Sequence, residues 1–369
     1  MSDLLTPIDP ATVPAFTLAS GATIPAIGLG TFSSDRFTET EIAAAVGTAV
    51  RTGYRLIDCA AVYANEHVIG PVLAQTLAET GIPREEMFII SKIWNDAHEP
   101  AAAVASVERS LADLQLDYLD AVFVHWPFPN THERFAAPDA RNPSSRPYIH
   151  AEFMRLYRAL EDLVDAGLIR HLGVSNVTIP KLRLILGDAR IAPALNEMEL
   201  HPAFQQGELY QFSKDHAMVV IGYSPMGSPR RPDRDVVEGD VVDMADPMVV
   251  GIAEELGVHP AEVCLKWARQ RGHAAIPFSV KPHQIHSNLK AVTEKPLTPA
   301  MLNALRSVEA NSRLIKGQVF LWEGSDSWLD LWDVDGSIPG WTGYGSTAAF
   351  DSPPQSDSQA HSLDKEERS

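Results

Sequence analysis

The chain has 369 residues, 45% of them hydrophobic, which is enough for a large core and for either two domains or one α/β barrel with insertions. Its 30 basic and 48 acidic residues give a net charge of −18, which argues against non-specific binding to nucleic acid or an anionic membrane and leaves room only for a local basic pocket. Two cysteines without a CxxC or Cys/His cluster point to reduced core thiols rather than a metal site, and the N-terminus and apolar runs show neither a leader pattern nor a span of the ~20 residues that cross a membrane, so a cytoplasmic monomer is the expectation.

Residues 1–14 carry acids and prolines and are expected to be a flexible N-terminus. "PAFTLASGATIPAIGLG" then reads as a hairpin turning at Ser20-Gly21, positioned to plug a barrel bottom, followed by a first apolar run at 26–32. "TETEIAAAVGTAVRTGY" opens with a Thr/Glu capping pattern and ends at Gly53, which predicts a helix. A second run at 55–60 precedes the helical "NEHVIGPVLAQTLAETGIP", which stops at Gly81 with Pro83 beyond. The third run, 87–92, is followed by the Ala/Leu-rich "EPAAAVASVERSLADLQLDYL" and the fourth, 120–126, by a long loop at 127–150 rich in Pro, Asn, Arg and Ser. Phe153, Leu156, Tyr157, Leu160, Leu163 and Val164 then recur on one helical face. Further runs lie at 169–176, 193–201, 218–224 and 274–279, the last preceded by a loop at 225–245 and two consecutive helices, "MADPMVVGIAEELG" and "HPAEVCLKWARQRG".

Eight strand-then-helix units predict an α/β fold of the (β/α)8 TIM-barrel type, a single domain over 15–341. The rival, a doubly wound open sheet, is weakened by the absence of GxGxxG after the first strand. Residues 342–369 are polar and poor in large apolar groups and read as a disordered tail.

In a barrel, the C-terminal ends of strands face one mouth. Asp58, Lys92 and His125 close the second, third and fourth runs, and Tyr63 follows Asp58 by a short loop. Asp58 can neutralise Lys92, and Lys92 beside the Tyr63 hydroxyl favours phenolate and draws its pKa down from ~10. A Tyr so placed can donate a proton to a carbonyl oxygen that is becoming an alkoxide, with His125 orienting that oxygen. No side chain supplies a hydride, whereas a nicotinamide does. Taken singly, Asp58 and Lys92 also fit a structural ion pair, Tyr63 a loop aromatic and His125 a core histidine; the four on successive strand ends favour catalysis.

These strings resemble the aldo-keto reductase superfamily over most of residues 15–325. "GYRLIDCAAVYANEHVIG" is similar to its first signature, with the catalytic Asp58 and Tyr63; "IISKIW" to the Lys92 segment; and "DAVFVHWP" to the His125 segment. The resemblance implies that Ser175 and Asn176 of "GVSN" hold the nicotinamide carboxamide, that Tyr223 stacks under the ring, and that Ser224, Met226 and Ser228 run along the pyrophosphate. Thr31 also falls among the implied cofactor contacts, and Phe32, Trp94, Trp126 and Trp322 among the substrate contacts. "NEMELHP" has Glu197 where the family has Gln; an ionised Glu accepts from an amide but cannot donate. "IPFSVKPHQIHSN" departs further: Phe278 and Lys281 replace the usual Lys and Thr, and Gln284 replaces the Arg that meets the adenosine 2′-phosphate, while Ser279, Val280 and Asn288 are kept. NADPH is therefore the expected cofactor, with a weakened preference and with NADH accepted. Arg230 and Arg231 read equally as a pyrophosphate clamp and as a solvated turn.

In this family the C-terminal loop closes over the substrate, and "NSRLIKGQVFLWEGSDSWLDLWDVDG" sets Trp322, Trp328 and Trp332 in a polar frame. "IPFSVK" with "RLIKGQVFLW" is similar to a fungal branch that reduces sugars and uronic acids, including D-galacturonate reductase. Asn130, His132, Arg134, Arg141, Arg146 and Lys316 could supply a carboxylate-binding mouth. Three classes stay open here: a carbonyl reductase of uronic acid or other sugar aldehydes, a non-catalytic cofactor-binding barrel that senses redox state, and a lyase or isomerase using Lys92 as a Schiff base.

Overall fold

The alternation of apolar runs and amphipathic segments resolves into a closed barrel in the computed structural model, which describes residues 5–32, 36–133, 136–137, 139–229, 231, 236–334 and 336–339. β1 (Ala15–Thr17) and β2 (Thr23–Pro25) form an antiparallel hairpin. The barrel strands are β3 (Leu29–Gly30), β4 (Leu56–Asp58), β5 (Phe88–Ile93), β6 (Leu119–Val124), β7 (Ile169–Ser175), β8 (Leu195–Glu199), β9 (Val219–Tyr223) and β10 (Ala274–Ile276). They pair in parallel in chain order. The seam closes where the Gly28 amide donates to Ala275 O at 2.9 Å and the Gly30 amide to Pro277 O at 3.0 Å. The architecture is the expected (β/α)8 barrel with an N-terminal hairpin.

Each position of β5 and β6 is buried, because one strand face fills the barrel and the other packs under helices. Inside, Leu56, Phe88, Ile90, Phe123, Leu195 and Ile221 form one cluster with Leu18 and Ile24 of the hairpin, which therefore plugs the bottom. Outside lie α1 (Glu39–Thr52), α2 (Glu66–Thr80), α3 (Pro100–Leu114), α4 (His150–Asp165), α5 (Ile179–Asp188), α6 (Gly207–Asp215), α7 (Pro247–Leu256), α8 (Pro260–Arg271), α9 (Pro282–Thr293) and α10 (Pro299–Leu305).

The capping signals work as their chemistry requires. Thr38 and Glu41 form a reciprocal capping box on α1, satisfying donors that the first helical turn leaves open. That helix ends at Gly53 with φ +127°, where a Cβ would lie 2.3 Å from Ile8 O, so only glycine fits. The segment 5–14 crosses this end, with the Ile8 amide donating to Thr52 O at 2.8 Å and a 3-10 turn at Pro10–Thr12 capped by Asp9. The expected tail, 342–369, lies outside the described residues.

Candidate active site

The strand ends carry out the convergence that the sequence implies. Asp58 is the last residue of β4, Lys92 lies near the end of β5, His125 follows β6 directly, and Tyr63 closes a 3-10 turn at Ala61–Tyr63. Lys92 Nζ donates to Asp58 Oδ1 and, at 3.2 Å, to Cys59 O. It also lies 3.4 Å from Glu197 Oε1 on β8. The Lys92 ammonium is 5.7 Å from the centre of the Tyr63 ring, and Tyr63 meets the His125 ring edge-on at 5.8 Å. Phe32 flanks Tyr63 at 5.2 Å, and Trp94 meets His125 edge-on at 5.2 Å.

Burial dominates the electrostatics. It works to lower the Lys92 pKa, but Asp58 and Glu197 outweigh it and hold the ammonium well above its usual range. His125 is held neutral, well below its ordinary value, by burial and by repulsion from Lys92. Tyr63 corrects the sequence expectation. Lys92 does pull its pKa down, but burial acts more strongly, aided by Asp58 and Glu197, and the phenol ends above its ordinary value. It is thus a firmly protonated donor before any substrate enters. Glu197 changes the reading of its substitution. Burial, then the Asp58 charge, push its carboxyl up to about 8 against the pull of Lys92, so it is protonated at neutral pH and can donate as a Gln amide would.

Around this centre the mouth is built largely from backbone turned into unusual conformations. Thr31 is buried, its hydroxyl donating to Asp58 O at 2.8 Å, and Asn65, which the sequence reading passed over, donates to Thr31 O at 2.9 Å. Ser175 ends β7, and Asn176, with φ +55°, donates to His125 O at 2.8 Å and accepts from the Tyr223 hydroxyl at 2.7 Å. Ser224 and Ser228 also have positive φ and join through their hydroxyls at 2.6 Å. Met226 packs on the helix-side core. Gly227 between them has φ +72°, and a Cβ there would sit 2.2 Å from Asp243 Oδ2. The two ends of the loop 225–245 are therefore held against each other.

After β10, Phe278 packs on Phe37 with ring centres 5.8 Å apart, which an ammonium at this place could not do. Ser279 donates to Gln284 Oε1 at 2.7 Å, and its oxygen accepts from the Lys281 amide at 3.0 Å. Val280 is half-buried, Asn288 buried, and Lys281 exposed at the N-cap of α9.

The outer wall is aromatic. Trp126, Phe128, Val319, Phe320, Leu321, Leu331 and Trp332 form a buried cluster joined by Trp94, Ile315, Trp322 and Trp328. Trp126 packs at a tilt with its ring centre 4.8 Å from that of Phe320, a residue the sequence reading did not single out. Asn130 is a strut: its amide donates to Arg146 O and Phe320 O at 2.8 Å each. Of the expected cationic rim, Arg146 pairs with Glu152 at 2.6 Å and Lys316 with Asp240 at 3.0 Å. His132 packs 5.2 Å from Phe320, and Arg141 is exposed and donates to Ala140 O at 2.9 Å. Arg231 is buried against Asp240, while Arg134 and Arg230 lie outside the described residues.

A nicotinamide fits this donor set. Among the described residues, Glu197 Oε2 and His125 Nδ1 are buried beside Lys92 and Tyr63 without a hydrogen-bond partner. When bound, such a group supplies the hydride that no side chain can. Among the described residues no group of His, Cys, Asp and Glu could hold a metal ion, and no helix is long and apolar enough to cross a membrane.

The aldo/keto reductase family model matches residues 26–310. The chain is 39% identical to aldo/keto reductase slr0942 of Synechocystis sp. over 323 residues, covering 86% of this chain and 96% of that one. It is 37% identical over 300 residues to human aldo-keto reductase family 1 member A1, covering 81% and 90% of the two chains. It is 35% identical over 321 residues to aldo-keto reductase family 4 member C11 of Arabidopsis thaliana, covering 86% and 97%. With the barrel closed, its mouth carrying a buried Lys–Asp pair beside Tyr and His, and relatives aligned across most of their length, the chain belongs to the aldo/keto reductase family and is an NAD(P)H-dependent oxidoreductase acting on small carbonyl compounds.

Proposed function

We propose that the chain reduces a polar sugar aldehyde to the alcohol with NADPH, uronic acids such as D-galacturonate and D-glucuronate included, and that Tyr63 is the proton donor. The observation that carries this reading is the meeting of Tyr63 with Lys92, Asp58 and His125 in one buried mouth. A carbonyl oxygen held by Tyr63 and neutral His125 receives the Tyr63 proton as negative charge builds on it. The resulting phenolate is stabilised by the adjacent Lys92 ammonium, which Asp58 keeps charged. Tyr63 then regains its proton from solvent.

Ser175, Asn176, Glu197 and Tyr223 are proposed to hold the nicotinamide end, with Thr31 beside it. Ser224, Met226, Ser228, Phe278, Ser279, Val280, Lys281, Gln284 and Asn288 are proposed to hold the rest. Exposed Lys281 favours the 2′-phosphate of NADPH, but Gln284 is neutral and tied to Ser279, so NADH is accepted as well. The aromatic faces of Phe32, Trp94, Trp126 and Trp322 suit the C–H surface of a sugar. A monomer over 15–341 in a reducing cytoplasm suits both buried thiols, Cys59 and Cys264.

A second reading, a general aldose or glyceraldehyde reductase, is favoured by the pairing of Arg146 with Glu152 and of Lys316 with Asp240, which neutralises cations that a carboxylate would need. Steady-state kinetics on D-galacturonate, D-glucuronate, D-xylose and glyceraldehyde with both cofactors decides. Uronates well ahead of xylose, with kcat/KM falling as salt rises, support the first reading. Equal efficiency without salt dependence leaves the general reductase, and no carbonyl-dependent oxidation of either cofactor removes both.

A further inference from the structure

Three buried ionisable groups meet at the strand ends, two acids and one base. Lys92 has its side chain fully buried, Asp58 is 5% exposed and Glu197 4%. Asp58 Oδ1 takes the direct contact with Lys92, and Glu197 Oε1 stands second at 3.4 Å. Glu197 Oε2 is buried without a hydrogen-bond partner among the described residues. An ionised oxygen in that position would carry uncompensated charge in a low-dielectric site, whereas a carboxylic acid would not.

We propose that Glu197 sets the charge of the nicotinamide site: it carries a proton while Asp58 holds Lys92, and losing that proton makes the site favour the oxidised, cationic nicotinamide over the reduced, neutral one. The proton travels to solvent and no bond to the cofactor is made or broken. The other groups facing this carboxyl leave it as the titrating member. Lys92 stays charged, and although burial raises the Asp58 carboxyl too, Asp58 makes the direct hydrogen bond to Lys92 while Glu197 stands farther off, so Asp58 is the acid that the ammonium keeps ionised. His125, after β6, stays neutral, and Tyr63 and, from β9, Tyr223 stay protonated because burial raises both phenols. Ser175 and Asn176 of the neighbouring β7 end bear no charge. Further along β8, Glu199 is ionised and already satisfied by His201 and by the Leu314 amide. The buried Cys59 thiol beside Asp58 is pushed well up and stays neutral.

Glu197 is held up to about 8, so below that pH the site has its proton and above it gains one negative charge. That charge attracts the cationic ring of NADP+ and does little for NADPH. The inference rests on the reductase reading, so the experiment separates the two. NADP+ and NADPH are titrated into the full chain between pH 6 and 9.5, following tryptophan fluorescence. The ratio of their dissociation constants, NADP+ over NADPH, should fall about tenfold across that range, as expected of one partly screened charge, and should be flat in Glu197→Gln. Calorimetry near pH 7 in two buffers should register proton release on NADP+ binding to the wild type and none in the variant. A flat wild-type ratio, or the same slope in both proteins, overturns the proposal. If neither cofactor binds, the reductase reading fails instead. The charge of Glu197 is then still decided by the cofactor-free protein: Glu197→Gln should raise the melting temperature more at pH 9 than at pH 6, and an equal shift at both overturns it.

Discussion

In the proposed reaction Tyr63 carries the proton transfer and Lys281 the cofactor choice, and each role is tested by one substitution. Tyr63→Phe keeps the ring that packs against Phe32 and His125 and removes only the proton donor. Reduction should fall by at least ~10²-fold, the low end for a positioned acid, while cofactor quenching stays near wild type. Near-normal turnover would mean that another group donates the proton. Because burial holds this phenol above its ordinary range, the forward reaction should show no loss from Tyr63 ionisation up to at least pH 9. Lys281 carries the one formal charge that the segment 278–288 retains on a lysine or arginine. Lys281→Ala should weaken NADPH by about tenfold, or ~1.4 kcal/mol, with NADH nearly unchanged, since an exposed charge-assisted contact falls low in its range. Equal weakening of both cofactors would move Lys281 away from the 2′-phosphate.

The C-terminal segment is the element whose attachment decides whether the aromatic wall exists. Asp333, at φ +48°, is buried and accepts from Lys181 Nζ and Thr178 Oγ1 at the start of α5. Lys181 also donates to Leu331 O at 3.2 Å, and the Trp332 indole donates to Lys316 O at 2.8 Å. Arg313 lies 3.3 Å over the Trp332 ring. This is a clip made of one buried ion pair. Asp333→Ala removes one partner and leaves a buried ammonium, which typically costs about 3–5 kcal/mol. Releasing 316–333 lets Lys181 reach water, so the loss should be local. Hydrogen exchange in 316–333 should rise and KM should increase severalfold, while the barrel strands keep their protection. A uniform loss of protection across β4 to β8 would show instead that the clip supports the whole barrel. Helices α1 to α4, α7 and α8 were readable from their caps and apolar stripes. This clip was not, because nothing in the string "WDVDG" reveals that Asp333 is buried or that Lys181 lies opposite.

At the scale of the molecule, the barrel was legible because a parallel sheet covered on both faces writes itself as repeated apolar runs, and Asp58, Lys92 and His125 were legible because each breaks such a run at its end. The net effect of burial on those groups was not, since it depends on how many neighbours close over them; hence the phenol of Tyr63 rises where Lys92 alone would lower it. The same physics governs a second buried network that ties the mouth together. His201, after β8, lies 3.1 Å from Glu199 and 2.8 Å from Asp243, and Glu199 also accepts from the Leu314 and Ile315 amides at 2.8 and 3.0 Å. One imidazolium thus joins the β8 end, the loop 225–245 and the C-terminal segment. Burial works to lower its pKa, but Asp243 and Glu199 outweigh that and hold it up to about 9. A folded pKa above the unfolded value of ~6.5 gives stability that is complete below ~6.5 and is lost as pH rises to about 9. Glu197, at about 8 when folded, erodes stability in the same direction between ~4.5 and about 8. The midpoint of urea unfolding, measured without cofactor, should therefore decline from pH 6.5 to 9. His201→Gln should be less stable throughout, because two acids lose their counter-charge, and its decline between pH 7 and 9 should be shallower than that of the wild type. In Glu197→Gln the decline should weaken mainly below pH 8. A stability that rises with pH over this window in the wild type would mean that His201 is neutral in the folded chain and that the three segments are held by packing alone.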